Sequence, residues 1–191
     1  MNCWDESAVE EWSEVRNRAA ERRKKDPKHV VHVGRVFGIC VEKNSEAVNE
    51  DDRKYKGRVV FQGNRVVNQN YDTALFQDMG SSPATLEACK VADMYGCAPG
   101  NEVEVADAEQ AYVQANVDDS HVHTYVRIPK EYWPADWVAK GFRDPVCRLV
   151  KALYGHPESG GHWERHLTAA IRSIGGVATV SYTHLTLPTT P

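Results

Sequence analysis

The stretch from Val30 to Val41 reads VVHVGRVFGICV, which is apolar, rich in β-branched residues and interrupted by glycines. This composition predicts one β-strand, or two short strands that are separated at a glycine. After the polar segment 42–52, the sequence YKGRVVF from Tyr55 to Phe61 predicts a second strand. The two segments are therefore expected to form an antiparallel hairpin whose return strand is basic.

Three helices are expected around this hairpin. Residues 6–25 repeat apolar side chains every three or four positions, which is typical of an amphipathic helix, and Pro27 closes this segment. Ser82 and Pro83 predict the start of a second helix that ends near Tyr95. The third helix is expected from Glu158 to Ile174. The expected core faces of the second and third helices are Leu86, Cys89, Ala92 and Tyr95, and Trp163, Leu167, Ala170 and Ile174.

Three further segments have strand-like patterns. Residues 102–106 (EVEVA) alternate strictly between charged and apolar side chains, which predicts a half-buried strand. Residues 123–128 and 146–153 are apolar and β-branched, and both are expected to be strands. The predicted fold class is therefore α+β, with packed helices and a mostly antiparallel sheet.

Composition excludes several classes of protein. The chain has 191 residues, of which 41% are hydrophobic and 26% are charged, so it is neither a disordered polymer nor a collagen. No stretch of the sequence approaches the roughly 20 consecutive apolar residues that a membrane-spanning helix needs. The acidic N-terminus is unlike a secretory signal. The five cysteines are scattered and odd in number. An intracellular protein is expected, cytoplasmic or nuclear, that does not bind membranes.

The net charge of −4 conceals two blocks of opposite sign. Segment 53–71 contains five basic residues and no acid, whereas segment 72–119 contains ten acids and Lys90 as its one base. Such an arrangement can bind a phosphate with the first block and a divalent metal with the second. The alternative is two solvated faces of opposite charge.

Asp107 is the best candidate for chemistry because it follows the alternating segment 102–106. A carboxylate at the end of a strand can reach a divalent metal and a phosphate. An aspartate at such a place can also simply form a turn. An unrelated metal hydrolase would need a second ligand near Asp107, and the sequence offers only Glu109.

The order of the segments resembles the reverse transcriptase of copia-type LTR retrotransposons. The resemblance covers roughly residues 33–176 and rests on five segments at matching spacings. They are KGRVVF at 56–61, the Ser82-Pro83 helix, DAEQAYV at 107–113, the strand from Tyr125 to Pro129, and VCRLVKALYGH at 146–156 followed by a helix with Trp163. The resemblance implies part of a right-hand polymerase fold, with the fingers and the first half of the palm.

The resemblance also implies roles in a two-metal phosphoryl transfer. Asp107 would be the first catalytic aspartate and would bind both Mg²⁺ ions, with the backbone carbonyl of Ala108 as a further ligand. Ala111 and Tyr112 would contact the incoming deoxynucleotide, and the Tyr112 ring would exclude a ribose 2′-hydroxyl.

Further substrate contacts are implied on both sides of this segment. Lys56 and Arg58 would bind the triphosphate through charge-assisted contacts. Glu158 and Ser159 would lie in a turn under the nascent base pair. Glu158 departs from the glutamine usual there, which replaces amide donors with a negative charge.

The expected partners are an RNA or DNA template-primer, deoxynucleoside triphosphates and the rest of a retrotransposon polyprotein. The family's aromatic-x-Asp-Asp motif is not found, because Asp118 and Asp119 lie too close to Asp107 and are expected to form a solvated turn. We therefore expect no polymerase activity. The rival hypothesis is a non-catalytic remnant that binds nucleic acid.

The expected organisation is an N-terminal segment 1–32, a partial polymerase domain 33–176 and a tail 177–191. The string VSYTHLTLPT at 180–189 resembles a translated sequencing adapter, so a non-native and poorly packed tail is expected. Pairs of histidines at 29/32, 121/123 and 162/166 have the spacing of metal ligands. Structural or surface roles are favoured, because no cysteine or acid completes a standard set.

Overall fold

A computed structural model of the chain describes residues 3–76, 85–117 and 122–176, and the backbone of 177–180 and 184–186. The strands are β1 (Glu10–Glu11), β2 (Val30–Lys43), β3 (Lys54–Phe61), β4 (Val67–Asn68), β5 (Val122–Arg127), β6 (Pro145–Arg148), β7 (Val177–Val180) and β8 (His184–Thr186). The helices are α1 (Trp12–Lys25), α2 (Leu86–Gly96), α3 (Ala111–Gln114), α4 (Ala135–Ala139) and α5 (Ser159–Ser173).

The predicted α+β class with a mostly antiparallel sheet is confirmed. The main sheet has the order β1-β6-β5-β2-β3, and β4 pairs with the same strand β2. One pair in this sheet, β2 with β5, is parallel and was not predicted. Strands β7 and β8 form a separate antiparallel pair.

Strand β2 organises the sheet because it is long enough to serve two neighbours in succession. Its first part, from Val30 to Arg35, pairs with β5, and its second part, from Val36 to Lys43, pairs with β3. The second part and β3 are largely exposed on both faces. The predicted hairpin is therefore confirmed, and we call its exposed part, residues 37–43 and 54–60, the hairpin arm.

Two apolar clusters cover opposite faces of the sheet, as the period-two alternation of β2 requires. On one face, α1 packs Trp12, Val15 and Ala19 onto Val31, Val33, Tyr125 and Val146. The other cluster contains Val36, Phe61, Val113, Val126, Leu149 and Leu153. The proposed boundary between residues 32 and 33 lies inside β2, and the N-terminal segment contributes to the core of the same sheet.

Helix α1 starts at Trp12 rather than at residue 6. Its backbone is anchored to the sheet because Trp12 N donates to Asp144 O at 2.9 Å. Four basic residues in its last turn complement the helix dipole. The helix ends at Lys25, and Asp26 is extended because the residue before Pro27 is disfavoured in a helical conformation.

The predicted core face of the second helix is wrong. Helix α2 is capped by Thr85, whose side chain accepts a hydrogen bond from Ala88 N at 3.2 Å, while Ser82 and Pro83 lie outside the described residues. Leu86, Cys89, Ala92 and Tyr95 are all exposed. Periodicity identified the helix correctly, but the described part of the chain supplies nothing that buries its apolar face.

The predicted strand at 102–106 is also wrong. These residues have no regular secondary structure, and Val105 is 94% exposed. A strand needs a partner edge as well as an alternating sequence, and no described strand pairs with this segment. Asp107 therefore follows an irregular segment rather than a strand.

The other predicted helices and strands are present, but their first and last residues differ from the predicted ones. The strand expected at 146–153 ends at Arg148, and the third helix, α5, is confirmed. However, α5 buries Ser159, Gly161 and His162, and Ile174 is 59% exposed. None of the described helices has the length and apolar composition needed to cross a membrane.

The tail forms a short antiparallel pair at the backbone level, with Val177 opposite Thr186 and Ala178 opposite Leu185. The remainder of the adapter-like string, at 181–183 and 187–189, lies outside the described residues, as do Asp118, Asp119 and His121. The origin of the tail stays a prediction.

Candidate functional site

The hairpin arm places Lys56 and Arg58 on one face. In the register of β2 with β3, Lys56 lies opposite Val41, and Arg58 lies opposite Ile39. Residues directly opposite each other in an antiparallel pair point to the same side of the sheet. Both basic residues are exposed, and Ile39 and Val41 are 40% and 50% exposed. The arm thus presents a positive surface with apolar side chains beside the charges on the neighbouring strand, which we call the basic face.

A tight turn at 154–156 lies at the base of this face. Phe61 N donates a hydrogen bond of 2.7 Å to Tyr154 O, which fastens the turn to the end of β3. Gly155 has φ +86° and lies against Phe61 O and the Val60 side chain. Val60 is on the same side of the strand as Arg58, because side chains two residues apart share a face. The turn therefore adjoins the basic face.

Tyr112 reaches the same turn from α3. Its ring meets the ring of Tyr154 edge to face, with the centroids 4.8 Å apart. Gln110, at the start of α3, adopts a left-handed conformation with φ 51°, which redirects the chain into the helix. Ala111 and Tyr112 are both half-buried. The structure thus brings together the 107–113 segment and the 146–156 segment through this aromatic pair.

Ser159 stabilises the turn and does not face solvent. Its hydroxyl donates to Leu153 O at 2.7 Å and accepts from Leu153 N at 3.1 Å, and the residue is buried. Glu158 is half-buried and precedes α5, and its backbone N donates to His156 Nδ1 at 3.2 Å. These contacts give Ser159 a structural role in the turn, and the substrate contacts that the resemblance implies for Glu158 and Ser159 stay predictions.

Asp107 and Ala108 are exposed in the irregular segment before α3. Throughout the described ranges, no group of three His, Cys, Asp or Glu side chains could hold a metal ion. The described donors around Asp107 do not by themselves complete a two-metal site, and the Mg²⁺ role that the resemblance implies for Asp107 and Ala108 stays a prediction. The described members of the histidine pairs, His29, His32, His123, His162 and His166, likewise form no such group.

Sequence reasoning missed a cluster of buried histidines behind the turn. His32, His156 and His162 are each buried, and the Phe76 ring contacts His32 and His156 with centroids 5.0 and 5.4 Å apart. His156 Nδ1 accepts from Glu158 N, so the ring proton is on Nε2, which lies 3.3 Å from Thr124 Oγ1. The residues come from β2, the turn and α5, and local spacing could not reveal their proximity.

Burial governs the chemistry of these rings. It lowers the pKa of His32 from 6.5 to about 4. It lowers the pKa of His156 to about 3, with smaller contributions from the neighbouring charges of His162 and His32. Both rings are therefore neutral at pH 7, so neither is expected to act as a general acid there.

No protein-family model, no curated protein and no solved structure matches this chain.

Proposed function

We propose that this chain is the fingers and the first part of the palm of a copia-type reverse transcriptase. The intact family catalyses RNA- and DNA-templated deoxynucleotidyl transfer, and an intracellular site of action, a template-primer partner and a surrounding polyprotein are part of the proposal. The observation that carries it is the juxtaposition of the basic face with the turn at 154–156 and Tyr112. These residues come from three of the five segments on which the resemblance rests.

The proposed role of the basic face is to bind phosphates. Lys56 and Arg58 are two residues apart on an exposed strand, so their charges point to the same side and can contact one triphosphate or adjacent backbone phosphates. The exposed side chains of Ile39 and Val41, opposite them on β2, can pack against sugars or bases. Tyr112 contacts Tyr154 in the turn that adjoins this face, and its proposed role is to contact the deoxyribose of a nucleotide bound there.

The proposed binding of phosphates by Lys56 and Arg58 does not require a metal centre. Asp107 is the proposed Mg²⁺ ligand, with the carbonyl of Ala108, but the described donors do not complete a site. The alternative function, a non-catalytic module that binds nucleic acid, is favoured by the same contrast between a well-formed basic face and an irregular Asp107 segment.

Binding of an RNA–DNA duplex tests the basic face. We expect a fluorescein-labelled heteroduplex to bind, with an affinity that falls steeply as salt rises. The double variant Lys56→Ala/Arg58→Ala should weaken binding on the order of tenfold and reduce the slope of log K against log salt by about two. Fluorescence polarisation between 50 and 200 mM salt measures both quantities.

The matched control is Lys24→Ala/Lys25→Ala, which removes the same charge from the exposed end of α1. It should reduce affinity much less than the arm variant. Equal losses for the two variants would mean that net charge alone drives binding, and would contradict the assignment of the basic face.

Primer extension separates the two candidate functions. With a template-primer, deoxynucleoside triphosphates and Mg²⁺, we expect the 191-residue chain to bind but not to extend the primer. Gel analysis of a labelled primer is sensitive enough to detect a single added nucleotide. Extension that disappears in Asp107→Asn would instead establish a functional polymerase site and reject the non-catalytic alternative.

A further inference from the structure

A cleft of about 550 Å³ lies next to the hairpin arm, between β2, the end of β5 and the loop that follows β5. Its polar lining includes Arg35, Arg127, Lys130 and Asp144, and its apolar lining includes Phe37 and Trp133. Neither Lys56 nor Arg58 lines it. The volume falls within the range of small-molecule sites, which is roughly 300–1,000 Å³.

The charges in the cleft are unbalanced. Arg35 lies directly beside Arg127 in the parallel register of β2 with β5, so two guanidinium groups share one side of the sheet. The one acid in the lining, Asp144, bonds Arg127 through two contacts of 2.7 and 2.8 Å. No carboxylate among the described residues pairs with Arg35. Like charges placed side by side are unfavourable, and a bound anion would relieve this repulsion.

A third cation and an aromatic ring complete the arrangement. Lys130 Nζ lies 5.8 Å from the centroid of the Trp133 ring, a cation–π contact. Trp133 Nε1 donates to Ile128 O at 2.8 Å, which fixes the half-buried ring at the wall of the cleft. Phe37 is 42% exposed on the same strand as Arg35. A planar ligand can therefore stack at this wall while its anionic group reaches Arg35 and Lys130.

We propose that this cleft binds a nucleoside monophosphate, either free or as one unit of a single strand. The phosphate contacts Arg35 and Lys130, and the base packs against Trp133 and Phe37. A phosphate monoester carries a charge between about −1.5 and −2 at pH 7. This charge balances the net positive charge of the three cations and one acid that line the cleft. Arg127 stays paired with Asp144 and is not a phosphate ligand in this proposal.

Isothermal titration calorimetry of the full chain with adenosine 5′-monophosphate tests the proposal. We expect a dissociation constant below about 1 mM, and weakening by about tenfold or more in Arg35→Ala and in Lys130→Ala, because each removes a charge-assisted contact. Lys90→Ala, on exposed α2, is the control and should leave binding unchanged. Absence of binding by the unaltered chain, or unchanged binding by Arg35→Ala, overturns the proposal.

Three related ligands show whether both the base and the phosphate are needed for binding, and whether the natural ligand is a free nucleotide or a single strand. Adenosine and inorganic phosphate should each bind at least about tenfold more weakly than the nucleotide, and equal binding of either overturns the two-part site. A five-residue oligodeoxyadenylate that binds more tightly, with the same dependence on Arg35, identifies a strand as the source. If the oligodeoxyadenylate and the nucleotide bind with equal affinity, the free nucleotide is identified as the ligand. Either result supports the proposal that the cleft binds a nucleoside monophosphate.

The arm variant Lys56→Ala/Arg58→Ala distinguishes this site from the proposed function. It should leave binding of the nucleotide unchanged. If the arm variant loses nucleotide binding and Arg35→Ala retains it, the nucleotide binds on the basic face. That result would overturn the proposed cleft site and support the proposed function. Circular dichroism of each variant establishes that the fold is retained.

Discussion

Between pH 6.5 and pH 4, the free energy of unfolding is expected to fall by about 3 kcal/mol for each of His32 and His156. Burial holds both folded pKa values well below 6.5, while the unfolded chain regains ordinary histidines. Below pH 6.5 the unfolded state therefore binds protons that the folded state does not, and stability decreases as pH falls. A combined loss of about 6 kcal/mol is comparable to the whole stability of a typical domain, so acid unfolding is expected in this window.

Urea unfolding at pH 7, 6 and 5 measures the slope of the unfolding free energy against pH. Carboxylates with lowered pKa values contribute only at lower pH: hydrogen bonds from Ser7 lower the pKa of Asp5 below 3.8, and Arg18 lowers that of Glu10 below 4.5. Above pH 5 the buried histidines should therefore dominate, with a slope of about 1.4 kcal/mol per pH unit for each ring.

The variant His32→Leu should halve that slope. His32 Nδ1 is buried with no hydrogen-bond partner among the described residues, so leucine removes an unsatisfied polar atom as well as a titrating group. His166→Gln, at an exposed position of α5, is the control and should leave the slope unchanged. A slope that is the same in His32→Leu as in the unaltered chain would place the source of acid sensitivity elsewhere.

Replacement of Gly155 by alanine is expected to destabilise the fold by more than about 3 kcal/mol. Gly155 has φ +86°, a conformation that costs an L-residue about 1–2 kcal/mol, and a Cβ there would lie 2.1 Å from Phe61 O. That contact is with backbone, which cannot rotate away. Relief requires the turn to separate from β3 and breaks the hydrogen bond between Phe61 N and Tyr154 O.

Gly141→Ala is the matched control for this substitution. Gly141 has φ +77°, but a Cβ at that position meets nothing within 4 Å, so the variant shows the cost of the backbone conformation alone. The difference in unfolding free energy between the two variants measures the close contact. Similar losses in both would show that the turn is not held tightly against β3.

Local patterns predicted the elements that depend on neighbouring residues. The basic hairpin and α5 follow from alternation and helical periodicity within short windows, and both are present. The same reasoning failed at 102–106 and at the core face of α2. An alternating or amphipathic segment specifies which face could be buried, but not whether another element lies there to bury it.

Local sequence patterns could not predict contacts between residues that are far apart in the sequence. Arg35 and Arg127 become neighbours only through the parallel register of β2 with β5. Tyr112 and Tyr154 were singled out by the resemblance, yet their contact depends on the turn being fastened to β3. The candidate residues could thus be named from the sequence, whereas their arrangement required the fold.

The parallel pair of β2 with β5 has a consequence for the order of folding. Val30 lies opposite Val122, so forming this pair closes a loop of about ninety residues, whereas the β2–β3 hairpin closes a loop of about ten. Long loop closure is slow, and proteins dominated by distant pairings fold in milliseconds to seconds. We therefore expect the hairpin to form first and the β2–β5 seam to form late. Until then, Val31 and Val33 are covered by α1 and by Val67 of β4, so the N-terminal helix shields one apolar face of β2 before β5 pairs with it.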